Sequence, residues 1–140
     1  MTDRDEIAYE VRRYAEGAAN AALMLDAIAR HGTVADVIAA DATPAFMEWI
    51  ADHEIDTDAD LWEALDVALE VVAQGEASSP GDWRVTGWRI VTGTGGPHVE
   101  AEIGTGGAIT GAAYWGSHKY IAHTFGADAL AEALEEMWTP

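Results

Sequence analysis

Val91-Thr92-Gly93-Thr94-Gly95-Gly96-Pro97-His98-Val99-Glu100 ends one extended run, turns on three glycines and a proline, and starts a second run. The second run alternates strictly: Val99, Ala101 and Ile103 share one side, while His98, Glu100 and Glu102 share the other. Period-two alternation marks a half-buried strand, and glycine supplies the positive φ angles of a tight hairpin. Two antiparallel strands are therefore expected, at 82–92 and 97–103, with His98 and Glu100 facing solvent.

The same logic extends downstream. A second glycine turn at 104–107 leads to a strand at 108–115, and Gly116-Ser117 leads to a short strand at 119–124. Connections this short demand antiparallel order, because a parallel crossover needs about a dozen residues. The chain then closes with a helix at 127–138, whose apolar side is Leu130, Leu134, Met137 and Trp138.

Upstream, the period changes. Ile7, Val11, Tyr14, Ala18, Ala21, Leu25 and Ile28 recur at spacings of three and four, which predicts one long amphipathic helix over 4–30. Its stripe is expected to be core, with a dimer seam through this first helix as the alternative. The small-sided middle, from Ala15 to Ala22 with Gly17, lets a neighbour approach closely. Thr33 is expected to cap a short helix at 34–40. Thr43-Pro44 opens another that ends near Glu54, with Phe46, Met47, Trp49 and Ile50 on its buried side. Leu61, Leu65, Ala68, Leu69 and Val72 predict a further helix at 58–74, capped by Thr57 or Asp58 and stopped by Gly75. Residues 74–81 then read as a linker. The expected fold is α+β: three to four N-terminal helices, a three- to four-stranded antiparallel sheet and a C-terminal helix packed on it. All of it falls in a single domain, with a helical part at 1–75 and a sheet part at 82–140.

Composition narrows the function classes. The 140 residues carry 25 acids against 7 bases and no cysteine, giving a net charge of −18. Thiol nucleophiles, disulfides and thiolate metal sites are excluded, and repulsion of like charge argues against direct nucleic-acid binding. No apolar run approaches the ~20 residues of a membrane span, and the start is polar and acidic, so a cytoplasmic protein without membrane contact is expected. The charge is also uneven. Residues 1–80 hold 18 acids and 4 bases, whereas 81–126 balance to zero. The acid is therefore expected on helices, with the sheet a neutral face.

Several site chemistries fail on spacing. Asp56, Asp58 and Asp60 imitate the start of a calcium loop, but Leu61 and Val67 stand where that loop needs glycine and a bidentate glutamate. Gly-Thr-Gly-Gly occurs at 93–96 and 104–107, yet each copy leads into a strand and no Walker lysine follows. Ser117 lacks a nucleophile elbow, and His118 and His123, five apart on a strand, point to opposite faces. No catalytic residue, cofactor or metal is expected.

The span from Trp88 to Trp115 reads Trp-Arg-Ile-Val-Thr-Gly-Thr-Gly-Gly-Pro-His-Val-Glu and, later, Ala-Ala-Tyr-Trp-Gly. It resembles a hairpin of small acidic phage- and plasmid-encoded proteins, in which a Thr-Gly-Gly-Pro turn opens one strand and a tyrosine/tryptophan-rich strand follows. This chain departs from that pattern by an extra Gly-Thr before the turn. The resemblance implies a mobile-element setting, where such proteins bind and block host defence machinery, some by imitating DNA.

The densest acid run lies between the third and fourth predicted helices. Glu48, Asp52, Glu54, Asp56, Asp58, Asp60 and Glu63 form the expected contact surface for a basic protein partner, a nucleic-acid-binding or defence protein. Two other expectations stay open. One is a small-ligand or catalytic face using Arg89, His98, Glu100 and Trp115 near the glycine turns. The other is an oligomeric or structural protein whose acidity serves only salt adaptation.

Overall fold

The computed structural model describes residues 3–40, 42–66, 68, 70–77, 83–93 and 97–138. The elements in chain order are α1 (Asp3–His31), α2 (Val34–Ala39), α3 (Pro44–Asp52), α4 (Leu61–Leu65), β1 (Glu70–Ala77), β2 (Trp83–Gly93), β3 (His98–Gly104), β4 (Ala108–Trp115), β5 (His118–Phe125) and α5 (Asp128–Trp138). The five strands form one antiparallel sheet in sequence order, β1-β2-β3-β4-β5. The α+β class and the antiparallel order are as expected.

The strand count is five rather than three or four, because the segment read as the second half of a long helix is β1. Leu61, Leu65, Ala68 and Val72 do fit helical spacing, but α4 stops at Leu65 and residues 70–77 pair along β2 from Glu70↔Val91 to Ala77↔Trp83. Val71 and Val72 are β-branched and suit a pleated surface, and the ladder hydrogen bonds available from β2 override a weak helical period. Gly75, expected to stop a helix, sits at the register shift between Gln74 and Gly75. The helical acidic part thus ends before residue 70, and β1 brings Glu70 and Glu76 into a sheet expected to be neutral. The expected linker at 74–81 is strand up to Ala77, and its remainder lies outside the described residues.

α1 lies across one face of the sheet, over β3, β4 and β5, and packs beside α5. Val11, Ala15, Ala18, Ala22, Leu25 and Ile28 are buried against a sheet face that includes Ile103, Ile109 and Ala113. The stripe is therefore core within the chain. The expected membership shifts by one residue in the middle: Tyr14 is 42% exposed, and Ala15 takes the buried place. Closest approach is at Gly111, where an added Cβ would collide with the Ala15 carbonyl oxygen and sit 2.8 Å from the Ala19 amide nitrogen. Small residues on both elements set the distance between helix and sheet.

The caps show local chemistry acting as the sequence suggests, with one correction. Thr33 and Thr43 accept hydrogen bonds from the Asp36 and Phe46 amides. α4 is capped by Asp60, not by Thr57 or Asp58: its Oδ1 accepts from the Glu63 amide at 3.1 Å. The helix starts later than its apolar period implied, because Val34 N–H bonds the Ala59 carbonyl and Thr33 bridges Asp60, which ties that loop to α2. Residues 94–96, the tip of the first glycine turn, lie outside the described residues. The flanking strands pair with a register shift between Val91 and Gly93.

Candidate functional site

The acidic surface runs from α3 through the following loop to α4. All seven expected contact residues, Glu48, Asp52, Glu54, Asp56, Asp58, Asp60 and Glu63, are exposed. Asp60 is occupied as a cap, and Asp56 Oδ1 accepts from the Asp58 amide at 3.3 Å. Among the described residues none of the seven pairs with a cation. Their mutual repulsion is therefore offset only by solvent and by the positive end of α4.

Glu54 has a second peculiarity. α3 ends in a Schellman arrangement, with Ile55 N–H bonding the Ile50 carbonyl and Glu54 N–H bonding the Ala51 carbonyl. The residue at the left-handed position is Glu54, with φ 52°. Glycine is the usual occupant there, because a side chain costs about 1 kcal/mol in that conformation. Glu54→Gly is accordingly expected to raise the unfolding free energy by about 0.5–1 kcal/mol, read as a higher urea midpoint at unchanged slope.

A cavity of about 540 Å³ lies between α1, α3 and the helix-facing side of β2 and β3. The small residues of α1 leave the space, since Gly17, Ala18, Ala21 and Ala22 all line it. Leu25, Ile90, Val99, Ala101 and the indole of Trp49 continue the apolar wall. Polar groups enter from Arg13, Tyr14, Asp52, His53 and Thr92. Trp49 is 9% exposed, and its buried indole N–H has no acceptor among the described residues. The His53 ring lies tilted against the indole, with centroids 5.1 Å apart, and its Nδ1 lies 2.9 Å from the Trp49 carbonyl oxygen. A carbonyl only accepts, so Nδ1 carries a proton and donates it to that oxygen.

The face of the sheet opposite α1 holds part of the other expected site. Arg89, His98 and Glu100 converge there: His98 Nε2 is 3.0 Å and Arg89 Nε 3.8 Å from Glu100 Oε2. The ring of His98 meets Tyr114 at 5.8 Å, and Lys119 Nζ lies 5.2 Å from the Tyr114 ring centre. Glu100, expected to be solvent-facing, is only 8% exposed. It is on the predicted side of its strand, but the side chains of Arg89 and His98 cover it and give it polar partners, as a buried carboxylate requires. Trp115 does not join this group. The β3–β4 register puts Tyr114 across from His98, and Trp115, one residue on, lines a shallow recess with Glu6, Ile7 and Glu10 at the start of α1. Alternation along the strand decides this, so the expectation was off by one residue. Elsewhere on the sheet, Trp88 is fully buried, while Ile121 and Phe125 are exposed on the open face.

Sequence reasoning missed the cavity altogether. The signal that could have located it was the run of small residues from Gly17 to Ala22, since a helix face with so little volume fills a layer only if the opposing wall moves in. Among the described residues no helix is long and apolar enough to cross a membrane. No protein-family profile, curated protein or solved structure matches this chain.

Proposed function

We propose that this chain is an acidic binding protein that occupies a basic, nucleic-acid-binding surface on another protein, acting by contact and not by catalysis. The observation that carries the reading is the run of seven exposed carboxylates from Glu48 to Glu63, none paired with a cation among the described residues. Surface acids held only for solubility are commonly interspersed with bases. Here the segment contains no lysine or arginine at all. Such a ridge attracts a basic groove over about a Debye length, and it competes with phosphates for the same arginines and lysines. Glu54 adds a carboxylate to this ridge at a left-handed position where glycine would be more stable. The setting we infer is that of a mobile-element inhibitor of a host defence or nucleic-acid-binding protein, in line with the hairpin resemblance.

The test is capture and competition. The immobilised chain is expected to retain a basic nucleic-acid-binding protein from a bacterial lysate at about 50 mM salt and to release it by about 0.5 M. Duplex DNA should displace the chain from that partner. The triple variant Glu48→Lys, Asp52→Lys and Asp58→Lys spares the helix caps and should weaken binding about 100-fold or more. Equal affinity for the triple variant, or a ternary complex with DNA, would sink the reading. A chain that captures nothing and folds only in molar salt would instead establish salt adaptation.

A further inference from the structure

We propose that the cavity between α1, α3 and the β2–β3 face is a binding site for a neutral, largely apolar small molecule that carries a hydrogen-bond acceptor such as a ketone oxygen. Three observations specify the ligand, and only the third draws on a residue of the acidic ridge, Asp52.

The first is volume and lining. A space of about 540 Å³ walled by alanines, Leu25, Ile90, Val99 and an indole has the size and character of a small-molecule pocket. The second is the Trp49 indole N–H, a donor without an acceptor among the described residues that belongs to a lining residue but is shut off from the open space. A buried donor costs stability unless something accepts from it, and a ligand oxygen would do so once the side chains around the indole give way to admit it. The third is charge. Asp52 sits at the cavity and the net charge is −18, so an anionic amphiphile is repelled, with Arg13 the one cation among the lining residues. Arg13 is itself 3.8 Å from Glu10. A neutral ligand avoids this penalty.

Gly17 provides a test that does not threaten the fold. A Cβ added there meets nothing within 4 Å, and Gly17 is not among the positive-φ glycines. Gly17→Leu should therefore leave α1 intact, raise its helical propensity and place a side chain at the cavity wall.

The probes are 6-propionyl-2-(dimethylamino)naphthalene, which is neutral and has a ketone, and N-phenyl-1-naphthylamine, which is similar in size and has none. On the 140-residue chain the ketone probe should bind at one saturable site with blue-shifted emission. Gly17→Leu should abolish that binding while the circular dichroism spectrum and melting temperature are maintained or improved. Trp49→Phe should weaken the ketone probe about tenfold, the scale of one hydrogen bond, and leave the amine probe unchanged. Dodecanoate should not compete. The proposal is overturned by absence of saturable binding, by binding that survives Gly17→Leu, or by preference for dodecanoate. Equal effects of Trp49→Phe on both probes would overturn the assigned role of the indole.

Discussion

Gly111→Ala adds one methyl group and is expected to destabilise the fold by about 3 kcal/mol or more, a large part of the stability of a domain this size. The reason is the kind of atom that the methyl meets. Most overpacked positions relax through a side-chain rotamer, at a cost of about 1–3 kcal/mol. At Gly111 the obstacles are the Ala15 carbonyl oxygen and the Ala19 amide nitrogen, which are helix backbone and cannot swing away. α1 would have to lift from β4, opening the layer that buries Ala18, Ile109 and Ala113. Equilibrium urea unfolding checks this, with Gly104→Ala as the control. A Cβ at Gly104 meets only Ala108 atoms at 3.9 Å, so that variant should shift stability by less than about 1 kcal/mol. Equal effects at the two glycines would show that α1 does not bear on β4 as described.

Asp26→Ala is the second large effect, at about 3 kcal/mol. Asp26 lies in α1, is 4% exposed, and its Oδ1 accepts from the Leu130 amide at 2.9 Å in the first turn of α5. The residue before α5 is Ala127, which has no side chain able to cap, so the cap comes from another helix. Oδ2 of the same carboxylate takes Arg30 Nη2 at 2.8 Å. Truncation would leave a buried N–H without an acceptor, costing about 1–3 kcal/mol, and remove a cap worth about 1 kcal/mol. It would also strip α5 of a negative charge at its positive end. Asp26→Asn keeps an acceptor oxygen and should lose only about 1 kcal/mol. Arg30→Ala should lose less than about 1 kcal/mol, because the Arg30 side chain is 56% exposed. Denaturation midpoints in the order wild type, Asp26→Asn, Asp26→Ala would support the remote cap. Equal loss in the two Asp26 variants would place the effect on the charge instead.

Together these positions show how much of the protein was legible in its residues. The period of α1, the proline and threonine starts, the alternation of β3 and the glycine-punctuated hairpins are local properties. They follow from side-chain spacing and backbone sterics, so the class, the antiparallel order and most element bounds could be read directly. The acidic run from Glu48 to Glu63 was equally visible, because exposure of a carboxylate is the default.

What local chemistry could not decide was anything set by a distant partner. Residues 70–77 are strand because β2 offers a ladder, although Leu61, Leu65, Ala68 and Val72 carry a helical period. Glu100 is covered because Arg89 and His98 lie beside it, and Trp115 leaves that group because Tyr114 takes the facing position. Asp26 caps a helix 104 residues away. The cavity beside α1 is likewise a difference between two surfaces. Its alanines stand plainly in the sequence, but whether the sheet and α3 close on them or leave about 540 Å³ open is a matter of how far apart the layers are held. That spacing is decided at Gly111, where backbone meets backbone.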